Sequence, residues 1–248
     1  MAVNSYLENL AKRAIVRDDE KNKIEISIKT ITNKLKNYFE YDIESPFIFG
    51  SYKRGTIISR AFDDNSDIDI MIVFKDGQYE AYKPQTYLNY LKDFATEKYP
   101  NSLCKQSHPA IVLELNHIKF ELVPAIIGDV SDFKIPNKQN SYLDWMSTNP
   151  TDLDGALANN QTLRRLVRIA KIWNAKQGYI YDSYELEKWI VGQCFCGNLA
   201  DHFYGFCKLL PINYNLPQYK KIKINTLKNN ARQAECFVDS SYIKSLFE

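Results

Sequence analysis

The sequence predicts an α+β protein, with strands in the middle of the chain and helices on both sides. In residues 66–74, Asp67, Asp69 and Met71 fall on one face and Ile68, Ile70 and Ile72 on the other, a period of two that is typical of a strand. Residues 110–115 and 118–123 repeat the strand pattern around an Asn116-His117 pair, which indicates a hairpin. Apolar residues at helical spacing dominate the flanking regions, among them residues 162–176.

Composition and charge set broad limits on function. The chain has 248 residues, of which 45% are hydrophobic and 25% charged, as in a globular protein with one large or two small cores. A net charge of +2 gives no electrostatic argument for nucleic-acid binding by the whole chain. No apolar stretch approaches membrane-spanning length and the first residues do not resemble a signal peptide, so we expect a cytoplasmic protein without a membrane partner.

The first predicted element is a long helix over residues 5–41, either continuous or interrupted near residues 17–20. The next elements are a strand at 47–49, the strand at 66–74, a turn at 75–78, a helix at 86–99, and the hairpin, whose second strand Pro124 ends. A polar crossing at 136–155 then leads to predicted helices at 162–176, 184–203 and 225–247.

The cysteines favour no metal site. None of the five shows paired Cys-x-x-Cys spacing. Cys194 and Cys196 fall in an apolar helical run, so we expect buried, reduced thiols rather than a zinc site with His202 and Cys207.

Two acidic residues of the strand at 66–74 point in the same direction. Asp67 and Asp69 share one face of the strand, and like charges placed side by side favour a neutralising cation. Hard oxygen ligands prefer magnesium or manganese. Upstream, Gly50 and Ser51 follow an apolar run, where a glycine and the amides of a helix start can bind phosphate. Each feature alone is common on exposed strands and turns.

In this order, Gly50-Ser51 and Asp67-x-Asp69 resemble the nucleotidyltransferase signature of the DNA polymerase β superfamily. The longer form, over residues 50–56 and 66–69, is most similar to the cGAS/DncV-like branch, the CD-NTases. The resemblance implies a polymerase β-like core, a small mixed sheet with helices, together with a C-terminal helical lobe and a long N-terminal spine helix. The corresponding domains would be the spine helix at 1–45, the catalytic core at 46–135 and the helical lobe at 136–248.

The resemblance also implies a third metal ligand. In the family a strand ending in acid, two hydrophobic residues, Pro and Ala carries this ligand, and residues 121–125 match with Glu121 in place of the usual Asp. Glu adds one methylene and keeps the charge. Glu114, on the neighbouring strand, is the competing candidate.

Further residues would bind the donor nucleotide. Lys171 lies in a segment similar to the family's Lys-x-Trp and would contact the triphosphate, as would Ser183, while Tyr184 would stack on a base. From the residues alone, Lys171 belongs to a solvated stripe with Arg164 and Arg168, and Asp182 caps a helix in a capping-box arrangement with Glu185. The two interpretations of the segment at 182–187 are compatible, since a helix start presents free amides to phosphate.

The family's activity follows from these assignments. Two Mg²⁺ or Mn²⁺ ions on Asp67, Asp69 and Glu121 would support the joining of nucleoside triphosphates, with ATP the first candidate, into a cyclic oligonucleotide signal, releasing pyrophosphate. In the family this signal serves antiphage defence of the CBASS type, and a regulatory protein partner is compatible with the resemblance.

Other functions stay open at this level. The same core builds linear oligonucleotides, extends RNA ends or transfers AMP to a protein in relatives. Seven Lys or Arg against three acids from Gly205 onward would suit a polyanionic acceptor or solubility equally well. A nucleotide-sensing pseudoenzyme is a third alternative, which the presence of all three acids opposes.

Overall fold

The computed structural model describes residues 2–75, 82–107, 109–128, 132–137 and 144–248. The turn predicted at 75–78 lies mostly outside these residues. In chain order, the elements of the first half are α1 (Val3–Arg13), α2 (Asp18–Phe39), β1 (Phe47–Phe49), α3 (Gly50–Arg54), β2 (Asp67–Phe74), α4 (Pro84–Lys98), β3 (Leu103–Ser107), β4 (Ala110–Glu114) and β5 (Lys119–Ile127). The elements of the second half are β6 (Phe133–Pro136), β7 (Trp145–Thr148), α5 (Asp154–Ala158), α6 (Gln161–Lys176), α7 (Ser183–Val191), α8 (Leu199–Leu209), α9 (Gln218–Phe237) and α10 (Ser241–Lys244).

The chain divides into two compact units. The sheet unit consists of Val16–Gly55 and Asn65–Asp152, and the helical unit consists of Met1–Ile15, Thr56–Asp64 and Leu153–Glu248. Both units are therefore discontinuous, and the segments of the helical unit are distant in sequence.

The domain limits drawn from the sequence, at 1–45, 46–135 and 136–248, cut the chain at other places. Sequence periodicity identifies helices and strands but does not show that a short segment, Thr56–Asp64, belongs with helices near the C-terminus. Backbone and side-chain contacts attach this segment to the helical unit: the Ser59 amide donates to the Ala14 carbonyl at 2.8 Å, and the Tyr179 hydroxyl donates to the Asp63 carboxylate.

Within the described residues, the sheet unit holds one mixed sheet of seven strands, in the order β1-β2-β5-β4-β3, with β6 pairing to β5 and β7 to β6. β2 and β5 are parallel, whereas β1 runs antiparallel to β2 and β4 antiparallel to β5. This confirms the α+β class with a small mixed sheet. Helix α4 buries the face formed by Tyr87, Leu88, Leu91 and Phe94, as its spacing predicts.

The second strand of the hairpin continues past Pro124, contrary to the prediction that this proline ends it. Pro124 pairs in register with Ile72 of β2. On the other side of β5, pairing with β4 covers residues up to Leu122, and pairing with β6 begins at Ile126. Pro124 thus lies in a gap between two neighbours, where a missing N–H donor is tolerated.

The N-terminal region is two helices rather than one long helix, and α1 belongs to the helical unit whereas α2 belongs to the sheet unit. The carbonyl of Ala14 accepts a hydrogen bond from the Ser59 amide, so that carbonyl is engaged outside the helix. The first turn of α2 then begins with acidic residues, Asp18, Asp19 and Glu20, which stabilise a helix N-terminus. The break therefore lies near the predicted alternative position at 17–20.

The helical unit is built around α6, which contacts α1, α5, α7 and α8. Its core contains large, fully buried side chains, among them Leu7, Trp173, Phe203 and Phe206. The helix predicted over 184–203 is instead divided into α7 and α8. Gly197 at φ +87° and a reciprocal capping box between Asn198 and Asp201 begin α8 after the break.

Long helices occur in both units, and none of those in the described part of the chain is apolar enough over its length to cross a membrane. The 22-residue α2 and the 20-residue α9 each bury one face and expose charged residues on the other.

Val238, at the end of α9, adopts a backbone conformation that a β-branched residue disfavours. Its φ is +53° and ψ is 34°, and it is 70% exposed. We expect Val238→Asn to raise the free energy of unfolding by about 0.5–1 kcal/mol, because Asn tolerates left-handed backbone and little apolar burial is lost. Thermal unfolding should show a midpoint higher by ~1–4 °C.

Ile222→Asn is the matched control, since Ile222 is also an exposed apolar residue of α9 but lies inside the helix. This change should lower the midpoint or leave it unchanged. A lower midpoint for Val238→Asn would contradict the strain assigned to Val238.

Candidate active site

Strand β2 presents two carboxylates on one face. Asp67 and Asp69 are half-buried, while Ile68 and Ile70 between and after them are 0% exposed. The alternation that the sequence predicts for this strand is thus present at its start, and beyond Ile70 the strand is buried on both faces.

Strand β5 brings a third carboxylate beside the second. The parallel register pairs Asp69 with Glu121, and paired positions of neighbouring strands project their side chains to the same face. Glu121 is half-buried between Phe120 and Leu122, which are both 0% exposed. Asp67 is paired in the same way with Lys119, which places a cation next to the first carboxylate in the register.

Glu114, the competing candidate for the third ligand, lies one strand further from β2. It sits at the end of β4 and forms an ion pair with Lys105 of β3, with 3.0 Å between Lys105 Nζ and Glu114 Oε1. The strand order therefore favours Glu121 over Glu114 as the neighbour of Asp69.

Gly50 lies directly against the Asp69 carboxylate. Phe49 and Asp69 are paired across β1 and β2, and the chain then turns into α3 with Gly50 at φ +72°. A Cβ atom at this position would lie 1.9 Å from Asp69 Oδ2, well inside contact distance. Only glycine meets both conditions, so the turn gives close access to the backbone beside a carboxylate. Ser51 follows in the first turn of α3 and is half-buried.

The donor set of this face suits a hard divalent cation, because all three candidate ligands are carboxylate oxygens. In the described part of the chain, however, no three acidic, His or Cys side chains form a group tight enough to hold a metal ion. The backbone register thus places Asp67, Asp69 and Glu121 on a common face, and their role as a ligand set stays a prediction.

Lys171 and Arg168 are buried, which corrects the prediction of a solvated stripe on α6. They are 8% and 6% exposed, whereas Arg164 is half-buried. Because other helices cover α6 on several sides, its polar stripe also lies inside the unit. Burial, followed by the charges of Arg165 and Arg164, lowers the pKa of Arg168 to about 10.

The ammonium of Lys171 has a carboxylate partner in the same unit. Lys171 Nζ donates to Glu187 Oε2 at 2.6 Å, and Thr56 Oγ1 donates to Glu187 Oε1 at 2.7 Å. Thr56 and Glu187 are both 0% exposed. Sequence reasoning missed these two residues, although Glu187 lies between Leu186 and Ile190 on the buried face of α7. An acidic residue on an otherwise apolar helix face was the sequence signal that could have identified Glu187.

The start of α7 holds the other two predicted nucleotide contacts. Asp182 caps the helix by accepting hydrogen bonds from the amides of Tyr184 and Glu185, at 2.9 and 3.2 Å, as predicted. Ser183 is exposed and Tyr184 is half-buried, with Lys188 Nζ 5.5 Å from the centre of its ring. Both predicted contacts thus remain accessible in part.

The cysteines are only partly as expected. All five are free thiols, but Cys194 and Cys196 are exposed because they lie in the break between α7 and α8 rather than in a continuous helix. Cys207 is buried, and burial raises the pKa of its thiol. His202 Nδ1 contacts the Asn198 carbonyl oxygen at 2.9 Å.

The basic C-terminal segment has structural contacts. Lys221, Lys223 and Lys228 donate to the backbone carbonyls of Tyr214, Gln177 and Lys208, at 2.7, 2.9 and 3.3 Å. Gln177 and Lys208 lie at the C-terminal ends of α6 and α8, where a cation stabilises the helix dipole. These contacts account for part of the positive charge without a polyanionic ligand.

A mixed sheet with acidic residues on two adjacent strands, and a glycine turn against one of these residues, matches the fold of a polymerase β-like nucleotidyltransferase. Residues 1–160 match the family model of the Second Messenger Oligonucleotide or Dinucleotide Synthetase domain, SMODS, and the chain belongs to this family. The predicted CD-NTase class and the predicted enzyme type, a nucleotidyltransferase, are confirmed. No curated protein sequence matches the chain.

Solved structures of CD-NTases share the fold over nearly the whole chain. Bradyrhizobium diazoefficiens CdnG in complex with GTP matches with a TM-score of 0.76 and 12% identity, covering 99% of both chains. Vibrio cholerae DncV with nonhydrolyzable GTP matches with a TM-score of 0.75 and 12% identity, covering 99% of this chain and 95% of that one. E. coli MS115-1 CdnC with ATP matches with a TM-score of 0.67 and 15% identity, covering 98% and 94%.

Replacement of Gly50 tests the close approach to Asp69. We expect Gly50→Ala to lower the free energy of unfolding by at least about 1–2 kcal/mol from backbone strain alone, and to abolish nucleotide transfer because the new Cβ displaces the Asp69 carboxylate. Chemical denaturation and incorporation of labelled nucleotide measure the two effects.

Gly155→Ala is the control, because nothing lies within 4 Å of a Cβ at that position, which is inside α5. It should leave transfer unchanged and stabilise the protein by up to about 1 kcal/mol. Equal transfer by the Gly50 and Gly155 variants would show that the Gly50 turn is not part of the site.

Proposed function

We propose that the protein is a divalent-cation-dependent nucleotidyltransferase that joins nucleoside triphosphates into a cyclic oligonucleotide, releasing pyrophosphate. The observation that carries this proposal is the register of β2 and β5, which pairs Asp69 with Glu121, together with the contact of Gly50 with Asp69. Membership of the SMODS family supports the synthesis of a second messenger.

In this proposal, Asp67, Asp69 and Glu121 bind two Mg²⁺ or Mn²⁺ ions. The bound ions would supply charge neutralisation at the phosphates and polarise the attacking ribose hydroxyl. The protein itself positions the phosphates of the nucleotide. The backbone around Gly50 and the hydroxyl of Ser51 would bind the β and γ phosphates, since the Gly50 turn leaves room for close approach.

Lys171, Ser183 and Tyr184 keep their predicted roles in binding the donor nucleotide. The accessible positions of Ser183 and Tyr184 at the start of α7 support this assignment, since a hydroxyl and an aromatic ring suit a phosphate and a base. Lys171 would bind phosphate while it remains paired with Glu187, because an ammonium has three N–H donors.

A role of the product in antiphage signalling, and control by a protein partner, are part of the same proposal. Both come from the resemblance to CD-NTases. A second matched structure of E. coli MS115-1 CdnC, which is 15% identical to this chain, is that of the CdnC:HORMA-deltaN complex.

The identity of the product tests the proposal directly. Purified protein is incubated with each labelled nucleoside triphosphate, singly and mixed, with Mg²⁺ or Mn²⁺, and then treated with phosphatase before mass spectrometry. We expect a product that resists phosphatase and lacks terminal phosphates. Linear chains with trimmed ends, or label on protein or added RNA, would assign the protein to the alternative, a linear or terminal transferase.

The third carboxylate can be tested against its competitor. We expect Glu121→Gln to lower kcat by at least ~10³-fold, because a neutral amide loses charge stabilisation that is worth several kcal/mol. Asp67→Asn and Asp69→Asn should abolish product as well. Steady-state kinetics and circular dichroism would show lost transfer in folded protein.

Glu114→Gln is the matched control, since it makes the same change on the adjacent strand and removes the charge of a partly exposed ion pair with Lys105. It should retain wild-type kcat. If Glu114→Gln were inactive and Glu121→Gln active, the assignment of the third ligand would be reversed.

A further inference from the structure

A buried polar cluster lies inside the helical unit, around the carboxylate of Glu187. Its oxygens accept hydrogen bonds from Thr56 Oγ1, at 2.7 Å, and from Lys171 Nζ, at 2.6 Å. Thr56 and Glu187 are 0% exposed and Lys171 is 8% exposed. The cluster is therefore nearly removed from water.

Stability alone does not account for such a cluster. Removing an ammonium and a carboxylate from water is costly, and apolar residues of similar volume often stabilise a protein as well as or better than a buried ion pair. What a buried pair with well-made hydrogen bonds does provide is a defined geometry for its members. The cluster is thus suited to hold side chains in place.

The three members lie next to residues with proposed roles in nucleotide binding. Thr56 follows Gly55, which ends α3 at φ +68°, and α3 begins with Gly50 and Ser51. On α7, Glu187 lies one helical turn after Ser183, so both side chains lie on one side of that helix. Lys171 is itself the residue predicted to contact the triphosphate.

The Lys171 ammonium retains capacity for a further ligand. An ammonium has three N–H donors, and within the described residues the Lys171 ammonium donates to Glu187 Oε2. Its side chain keeps 9% exposure, whereas the Glu187 side chain is 0% exposed. The buried Glu187 carboxylate can therefore orient the Lys171 side chain, while the remaining N–H donors of Lys171 stay available to a ligand.

From this geometry we infer that Glu187 is a positioning residue for nucleotide transfer, which acts through Lys171 and Thr56 without touching the nucleotide. The inference rests on the proposed function. Glu187 holds the Lys171 ammonium at a defined place and, through its hydrogen bond with Thr56, fixes the first residue of the segment Thr56–Asp64 within the helical unit. Loss of its charge should therefore impair catalysis in protein that is still folded.

A double-mutant cycle separates this role from a merely structural one. The proteins compared are the wild type, Lys171→Met, Glu187→Gln and the double variant, each assayed for kcat/KM with the triphosphates that the wild type uses, and for its thermal midpoint. We expect Glu187→Gln alone to lower kcat/KM on the order of 10- to 100-fold, since small misplacements near a reaction cost this much. In the double variant the midpoint should recover, because neither partner is left as an uncompensated charge, while kcat/KM should stay as low as in Lys171→Met.

Thr56 provides a second test in which the ion pair is retained. Thr56→Val removes the hydroxyl and keeps the shape, and should lower kcat/KM by roughly tenfold or less, within the range of a small misplacement. Thr56→Ser, the conservative variant, keeps the hydroxyl and should therefore have a kcat/KM close to that of the wild type. This pair keeps the inference testable if Glu187→Gln fails to fold.

The outcomes are distinct. If the wild type is active and Glu187→Gln shifts the midpoint but leaves kcat/KM within about twofold of wild type, Glu187 is structural and the inference is overturned. Independent, additive effects of Lys171→Met and Glu187→Gln on kcat/KM would also overturn it. A wild type that incorporates no nucleotide even with its protein partner present would overturn the proposed function, and this inference with it.

Discussion

The parallel pairing of β2 with β5 is the constraint on which the candidate site depends. It sets Asp69 opposite Glu121, and the pairing of β1 with the other side of β2 brings the Gly50 turn against the same carboxylate. A slip of one residue in this register would turn Glu121 toward the core and Phe120 toward the acidic face. The buried side chains around the acids, Ile68 and Phe120 among them, oppose such a slip, so the apolar core of the sheet maintains the geometry of the charged residues.

Sequence patterns predicted the features of the fold that are determined by residues close together in the chain. The period of two in β2 and β5 and the glycine that begins α3 each identify a backbone conformation within a few residues, and the structure has them where the sequence places them. The β4–β5 hairpin and the helical faces of α2 and α4 were predictable for the same reason.

Features that depend on distant partners were not predictable. The break after α1 involves Ser59, and the continuation of β5 through Pro124 depends on a gap between β4 and β6. The stripe on α6 looked solvated because the pattern of one helix does not show how many neighbours cover it. Glu187 escaped notice for a related reason, since its hydroxyl partner lies 131 residues away in the chain.

The discontinuity of the helical unit has a consequence for the order of folding. Helix α1 packs its apolar face, including Val3, Leu7 and Leu10, into a core whose other members come mostly from residues 153–248. During synthesis α1 emerges first and has no such core to join until most of the chain has been made. The sheet unit has all of its segments available by residue 152. During synthesis the sheet unit can therefore form while the first helix still lacks the core into which it packs.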